Sequence, residues 1–205
     1  MNREVYIVDA LRTPIGRFQG QLSRVRPDTL ASYVIRGIVE RNPQIDLLHI
    51  EDILFGCANQ AGEDNRNVAR MAALLAGLPE SVGGCTLNRL CGSGLEAINQ
   101  ATAAMKMGCG EMMIAGGVES MSRAPLVMLK PEVGLQRGDQ KLVDTTLGWR
   151  FVNPMLAEQY TPLSMGETAE KVAEKYHISR RGQDEYALLS QQRYQEAHEA
   201  GKFQD

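Results

Sequence analysis

The sequence predicts an α/β fold with a mainly parallel sheet, followed by a loop-rich helical subdomain. Short β-rich runs alternate with helical patterns up to Gly116-Gly117, and that alternation is the order that produces parallel sheets. Beyond residue 122 the periodicity fades, and residues 123–163 hold half of the chain's eight prolines. A loop-rich segment this long in a compact protein is usually functional.

Four short runs of β-branched and apolar residues predict the strands of the sheet. They cover residues 5–10, 50–55, 85–90 and 112–115. The first is followed by a loop that contains Pro14, and the second is closed by Gly56. The fourth run lacks polar alternation, so we expect it to be buried on both faces of the sheet.

Helices are predicted from apolar spacing and from capping residues. Asp28 is the expected cap of the first helix, whose apolar face carries Leu30, Val34, Ile35 and Ile38. The later helices are expected at residues 67–76, 94–107, 166–176 and 180–200. Gly77 ends the second of the five helices, and Ser179 is the expected cap of the last one.

Composition and charge exclude several classes of protein. The 205 residues are 43% hydrophobic and 23% charged, which is enough for a real core. A net charge of −3 without a basic run argues against a nucleic-acid partner. The chain lacks an apolar stretch of about 18 residues and an apolar leader, so we expect no membrane association and a cytoplasmic location.

The four cysteines do not form a metal-binding pattern. They are Cys57, Cys85, Cys91 and Cys109, and no two of them are spaced as Cys-x-x-Cys. The three histidines, His49, His177 and His198, are not clustered with them. We therefore expect no metal site, and we expect Cys57, Cys85 and Cys109 to be plain core or near-core thiols in a reducing compartment.

Cys91 is the candidate nucleophile because it lies between a predicted strand and a predicted helix. Free backbone N–H groups and the helix dipole at a helix N-terminus favour an anion, and a thiolate is far more nucleophilic than a thiol. Gly92 and Gly94 leave room for a substrate beside it. Glu119 and Ser120 follow another strand end and are expected nearby, either in the site or as supporting loop residues.

Residues 92–97 also fit the dinucleotide-binding pattern G-x-G-x-x-A. The pattern follows the third strand of the fold rather than the first, and no acidic residue is convincingly placed at the end of the next strand, about 20 residues on. A nicotinamide-dependent oxidoreductase is therefore a weaker alternative than an acyltransferase with a cysteine nucleophile.

Four segments give the chain its resemblance to a known family. They are residues 8–16 (Val-Asp-Ala-Leu-Arg-Thr-Pro-Ile-Gly), 88–94 (Asn-Arg-Leu-Cys-Gly-Ser-Gly), 115–122 (Ala-Gly-Gly-Val-Glu-Ser-Met-Ser) and 164–170 (Ser-Met-Gly-Glu-Thr-Ala-Glu). Together they resemble the N-terminal half of a thiolase, an acetyl-CoA C-acyltransferase. The resemblance implies a thiolase-type α-β-α half, with a core domain at residues 1–122 and part of a loop domain at residues 123–205.

The resemblance also implies a reaction and its residues. Cys91 would carry the acyl group in a ping-pong thiolysis of 3-ketoacyl-CoA, or in the reverse Claisen condensation. Its backbone N–H would help to bind the thioester oxygen, and residues 88–90 would hold the geometry of the strand end. Leu156, Ser164 and Met165 would line the pocket for the pantetheine and the acyl chain. Coenzyme A would be a substrate, with no tightly bound cofactor.

The family's second half carries a Gly-His-Pro motif and a Cys-x-Gly-Gly-Gly motif, and neither occurs in these 205 residues. We therefore expect a chain that carries the nucleophile but not the acid–base groups, and that exposes an apolar face to a missing C-terminal half. Homo-oligomers, dimers or tetramers, are expected, with contacts from residues 123–163. The alternatives are a ketoacyl-synthase-like condensing enzyme and a non-catalytic half that binds only a partner or CoA. Within the resemblance, the motif at residues 164–167 favours degradative thiolases of fatty acid metabolism.

Overall fold

The computed structural model describes residues 3–131, 134 and 137–203. Their packing forms two compact units, Met1–Thr146 and Leu147–Asp205. They are called the first unit and the second unit below. The division at residue 122 that the resemblance implies concerns the family's domains, and it stays a prediction.

The first unit is built on a three-stranded parallel sheet. Its strands are β1 (Ile50–Gly56), β2 (Cys85–Leu87) and β3 (Met112–Gly117), in the order β2-β1-β3. Leu54 on the central strand is level with Cys85 on one side and with Ala115 on the other. All three strands therefore end at the same edge, where sites in α/β proteins lie.

Helices cover both faces of this sheet. On one face α1 (Pro27–Arg41) and α2 (Val68–Ala76) pack on β1 around a core whose buried members include Ile35, Ile53, Phe55 and Val82. On the other face Ala97 and Ala101 of α3 (Ser93–Lys106) pack on Leu54. The three layers confirm the predicted α/β fold, because adjacent residues of β1 are buried on opposite faces.

The ends of the helices follow local chemistry, with one correction. Asn67 caps α2 by accepting the N–H of Arg70, and α2 ends at Gly77 in the left-handed conformation (φ 86°). Asp28 was the wrong cap for α1, which begins at Pro27. The Asp28 carboxylate is buried and accepts hydrogen bonds from the Arg26 guanidinium.

The predicted strand at residues 5–10 is wrong, since these residues pair with no strand among those the structure describes. High strand propensity does not make a strand without a neighbouring ladder, and Ile7 stays 80% exposed. Strand β3 is half-buried rather than buried on both faces, because it is a sheet edge in the described part of the chain. A cavity of about 890 Å³, here called the edge slot, lies between residues 5–18 and β3.

The remaining elements are short or helical. In the first unit β4 (Leu126–Val127) and β5 (Val143–Asp144) form an antiparallel pair, and 3-10 helices occur at Gln21–Arg24, Leu47–His49 and Met121–Arg123. The second unit contains α4 (Pro154–Gln159), α5 (Met165–Lys175) and α6 (Arg180–Glu199). Among the residues described, no helix combines the length and the apolar character needed to cross a membrane.

We expect Gly56→Ala to destabilise the first unit by about 1–3 kcal/mol, the usual cost of overpacking. A Cβ at Gly56 would lie 2.6 Å from the carbonyl carbon and from the Cβ of Ser93 at the start of α3. Gly94→Ala in the same helix is the matched control, because its Cβ would meet nothing within 4 Å. Urea unfolding monitored by circular dichroism measures both variants, and equal midpoints would contradict the tight contact.

Candidate functional site

The candidate site is the turn that joins β2 to α3, residues 88–93, here called the cysteine turn. Cys91 lies in it, free and exposed, two residues before the first residue of α3. Gly92 occupies the cap position without a side-chain hydrogen bond, so no side chain competes for the helix N-terminus there. An exposed thiol in this position has both the access and the favourable dipole that thiolate chemistry needs.

Leu90, directly before Cys91, has a left-handed backbone with φ 50°. A non-glycine residue in this region is uncommon, and such strain persists where the surroundings hold it. The Asn88 side chain accepts the N–H of Leu90 at 2.8 Å, and the Ser93 hydroxyl donates to the Leu90 carbonyl at 2.6 Å. Side chains thus hold both polar backbone groups of Leu90.

Ser93 ties the cysteine turn to the core. Its hydroxyl also accepts the N–H of Arg89 at 2.8 Å, and the residue is only 5% exposed. It packs directly on Gly56 at the end of β1. From the sequence, Gly56 is predicted only as the end of a strand and Ser93 has no predicted role. Their importance depends on a contact between residues that are far apart in the chain, which sequence patterns do not reveal.

Glu119 supports the cysteine turn indirectly. Among the described residues it makes no hydrogen bond to Cys91. Its carboxylate accepts the N–H groups of Ala58 and Asn59 at 2.8 and 3.1 Å. The carbonyl of Ala58 in turn accepts the side-chain amide of Asn88 at 2.9 Å. Glu119 is therefore connected to the cysteine turn through one loop. Of the two roles expected for it, this is the role of a supporting loop residue.

Cys57 lies beside the same loop and is buried as expected, whereas the expectation of a core position is wrong for Cys85 and Cys109, which are exposed. Burial, together with the nearby carboxylates of Glu119 and Asp64, raises the pKa of the Cys57 thiol to about 12. The three side chains offer ligand atoms within 4.8 Å of one another. The carboxylates already accept backbone N–H groups, Asp64 from Gly62 and Glu119 as above. These hydrogen bonds explain why the two carboxylates lie here, since they cap the loops around a thiol that stays protonated.

The predicted pocket residues lie in the second unit. Ser164 caps α5 in a reciprocal capping box, since its hydroxyl accepts the N–H of Glu167 and the Glu167 carboxylate accepts the N–H of Ser164. Met165 begins α5 and is 79% exposed, and Leu156 on α4 is also exposed. The spacing Ser-x-x-Glu in the sequence already signals such a cap. The roles of Leu156, Ser164 and Met165 in binding CoA stay predictions.

None of the histidines is placed to activate Cys91 from the first unit. His49, the single histidine there, lies just before β1, at the opposite end of the sheet from the cysteine turn. His177 and His198 belong to the second unit, and both are exposed. The first unit therefore presents a thiol without a neighbouring imidazole base.

Comparisons with known proteins agree on one family. The family model described as "Thiolase, N-terminal domain" matches residues 5–205. The chain is 60% identical over 203 residues to the beta-ketoadipyl-CoA thiolase of Pseudomonas aeruginosa, and the match covers 99% of this chain and 50% of that protein. It is 58% identical over 199 residues to the 3-oxoadipyl-CoA/3-oxo-5,6-dehydrosuberyl-CoA thiolase of Escherichia coli, with 97% of this chain and 49% of that protein covered.

A solved structure supports the same fold. The acetyl-CoA acetyltransferase of Bacillus anthracis superposes with a TM-score of 0.83 at 36% identity, covering 95% of this chain and 48% of that one. The chain spans about half the length of the curated relatives that it matches.

We expect iodoacetamide to label Cys85, Cys91 and Cys109 in the folded protein and to spare Cys57. Those three thiols are exposed, whereas Cys57 is buried and its pKa is raised to about 12, so that Cys57 stays neutral at mildly alkaline pH. Because the folded-state pKa is raised, the stability linked to the neutral thiol is lost as the pH rises from the ordinary thiol range towards that value. Peptide mapping after timed labelling measures the four rates. Equal labelling of Cys57 and Cys109 before denaturation would contradict the burial.

Proposed function

The chain belongs to the thiolase family, and from this premise we propose that it carries the nucleophile for acyl transfer on CoA thioesters. The observation that supports the proposal is the exposed Cys91 thiol at the N-terminus of α3, held in the cysteine turn. Thiolases use CoA thioesters as substrates and need no tightly bound cofactor. The family match also weakens the nicotinamide and ketoacyl-synthase alternatives.

The proposed reaction needs no oxidant or metal. The Cys91 thiolate attacks the keto carbon of a 3-ketoacyl-CoA, and the bond between C2 and C3 breaks. The electron pair of that bond stays on C2, which takes up a proton and leaves as acetyl-CoA. The acyl group remains on Cys91 as a thioester until the thiolate of a second CoA removes it. The backbone N–H of Cys91 is the proposed donor to the oxyanion.

We propose a 3-oxo dicarboxylic acyl-CoA of the 3-oxoadipyl type as the substrate. Support comes from the relatives named as beta-ketoadipyl-CoA or 3-oxoadipyl-CoA thiolases, which are 58–60% identical in the first three matches. By the chemistry above, such a substrate gives acetyl-CoA and leaves a succinyl group on Cys91. Fatty acyl-CoA substrates, which the motif at residues 164–167 favours, are the second candidate for the substrate class.

We further propose that the acid–base groups come from a second half of the enzyme. The absence of a histidine base beside Cys91 in the first unit supports this, as does the length of the relatives, about twice that of the chain. A cytoplasmic homo-oligomer, dimer or tetramer, with contacts from residues 123–163, is proposed from the family resemblance.

The edge slot supports a partner-binding role besides catalysis. It runs along β3 and is bounded by α1 through Leu30, by α3 through Met105 and by residues 5–18. A space between two helical layers beside a sheet edge has the shape of one more strand, and the edge presents unpaired backbone groups. We propose that a strand of the second half occupies it.

Acylation of Cys91 is the direct test of the catalytic proposal. We expect mixing with 3-oxoadipyl-CoA or acetoacetyl-CoA, followed by acid quench and peptide mapping, to place the acyl group on Cys91. The expected excess over the exposed Cys85 and Cys109 is at least about tenfold, because only Cys91 combines a helix N-terminus with an oxyanion donor. Cys91→Ser should abolish the adduct and Cys109→Ser should leave it. Equal acylation of the three thiols, or none once the second half of the P. aeruginosa relative supplies the acid–base groups, would refute the nucleophile assignment.

The edge slot makes its own prediction. We expect the chain alone to bind the dye ANS and to self-associate in gel filtration, and both signals to fall when the second half of the P. aeruginosa relative is added. Ile7→Asp, at a slot residue that is 80% exposed, should weaken that association at least about tenfold. Leu48→Asp, at a residue 68% exposed outside the slot, is the matched control. An ANS-silent monomer would contradict the proposal.

A further inference from the structure

The peptide group between Leu90 and Cys91 is the part of the cysteine turn that matters most to the proposed chemistry. It contains both the Leu90 carbonyl and the Cys91 N–H. No described peptide bond is cis, and in a planar trans peptide these two groups point in opposite directions. Whatever fixes the direction of the Leu90 carbonyl therefore also fixes the direction of the Cys91 N–H.

Ser93 fixes that carbonyl. Its hydroxyl donates to the Leu90 oxygen at 2.6 Å, and its backbone N–H donates to the same oxygen at 3.0 Å. Ser93 is itself immobile, because it is 95% buried against Gly56, where a single added Cβ would lie 2.6 Å away. Packing against the core thus fixes the position of Ser93, and its two hydrogen bonds to the Leu90 oxygen fix the orientation of the peptide plane.

The left-handed conformation of Leu90 explains why such a hold is needed. With φ 50°, Leu90 is in a region that leucine rarely occupies, while its side chain is 69% exposed and packs against little. Its own packing therefore does not hold the conformation. The hydrogen bonds of Asn88 and Ser93 to its backbone do.

We propose that Ser93 is a positioning residue that aims the Cys91 N–H at the oxyanion of the acyl-transfer step. The inference rests on the proposed function, and it adds a role that sequence reasoning did not assign. Ser93 touches neither substrate nor thiol in this account. It acts through the peptide plane that it holds, so its loss reduces the stabilisation of a transition state rather than the access to Cys91.

This role predicts a split between two reactions of the same thiol. Acyl transfer passes through an oxyanion, whereas alkylation by iodoacetamide does not. We expect Ser93→Ala, which keeps the backbone N–H bond to the Leu90 oxygen, to slow acylation of Cys91 about tenfold, less than the roughly hundredfold cost of a lost oxyanion donor, and to change its alkylation less than about threefold. A residue with a merely structural role would change both rates together.

The chain provides a close control in Ser32. It is 2% exposed, lies in α1, and its hydroxyl donates to the carbonyl three residues before it, that of Thr29, at 2.7 Å. Ser32→Ala therefore removes the same kind of hydrogen bond at a place remote from Cys91. We expect it to leave the acylation and the alkylation of Cys91 within about threefold of wild type.

A second variant covers the case in which Ser93→Ala does not fold, which labelling of the buried Cys57 would reveal. Glycine occupies the left-handed region without strain, so Leu90→Gly removes the strain that the holding bonds offset and should let the turn form, but its backbone freedom leaves the peptide plane before Cys91 unfixed. Leu90→Gly combined with Ser93→Ala should fold and alkylate normally, and its acylation should stay about tenfold below that of Leu90→Gly alone.

The outcomes separate the two proposals. Wild-type chain that accepts no acyl group on Cys91, even with the second half of the P. aeruginosa relative added, refutes the proposed function. Wild-type chain that is acylated, with Ser93→Ala acylated equally fast or losing acylation and alkylation in parallel, refutes the role of Ser93 and leaves the nucleophile in place. Loss of acylation with retained alkylation, in the single or the double variant, supports the inference.

Discussion

The contact between Gly56 and Ser93 is the constraint on which the rest of the site depends. It brings the end of the central strand β1 against the start of α3 so closely that no side chain fits between them. This distance sets the position of α3 over the sheet. It also anchors the one hydroxyl that holds the turn before the helix. A change in core packing at this contact therefore changes the geometry around Cys91, and a change in the turn also disturbs the packing.

A second layer of polar contacts connects the strand ends with one another. Glu119, after β3, caps the loop after β1, and that loop receives the amide of Asn88 after β2. The three parallel strands end at one edge, so a short carboxylate or amide side chain spans from each loop to the next. The family motif around Glu119 has a physical reason here, since a carboxylate satisfies two N–H groups of a tight loop at once.

Sequence reasoning was accurate where information is local and failed where it is not. The helix α2, with Asn67 and Gly77 at its ends, and the last helix after Ser179 follow from capping chemistry within a few residues. The strand at residues 5–10 was predicted from propensity, which says nothing about a neighbour to pair with. Asp28 resembled a cap, but its buried carboxylate instead pairs with the half-exposed guanidinium of Arg26. At the site, Cys91 stood out through its motif, whereas Gly56 and Ser93 have meaning only in contact.

The unpaired N-terminal segment has a consequence for biosynthesis. Residues 5–10 are synthesised before the sheet beside them, which is complete only once Gly117 of β3 has been made. During that interval the aliphatic run around Ile7 is a strand-prone sequence without a ladder, the kind of segment that pairs with other nascent chains.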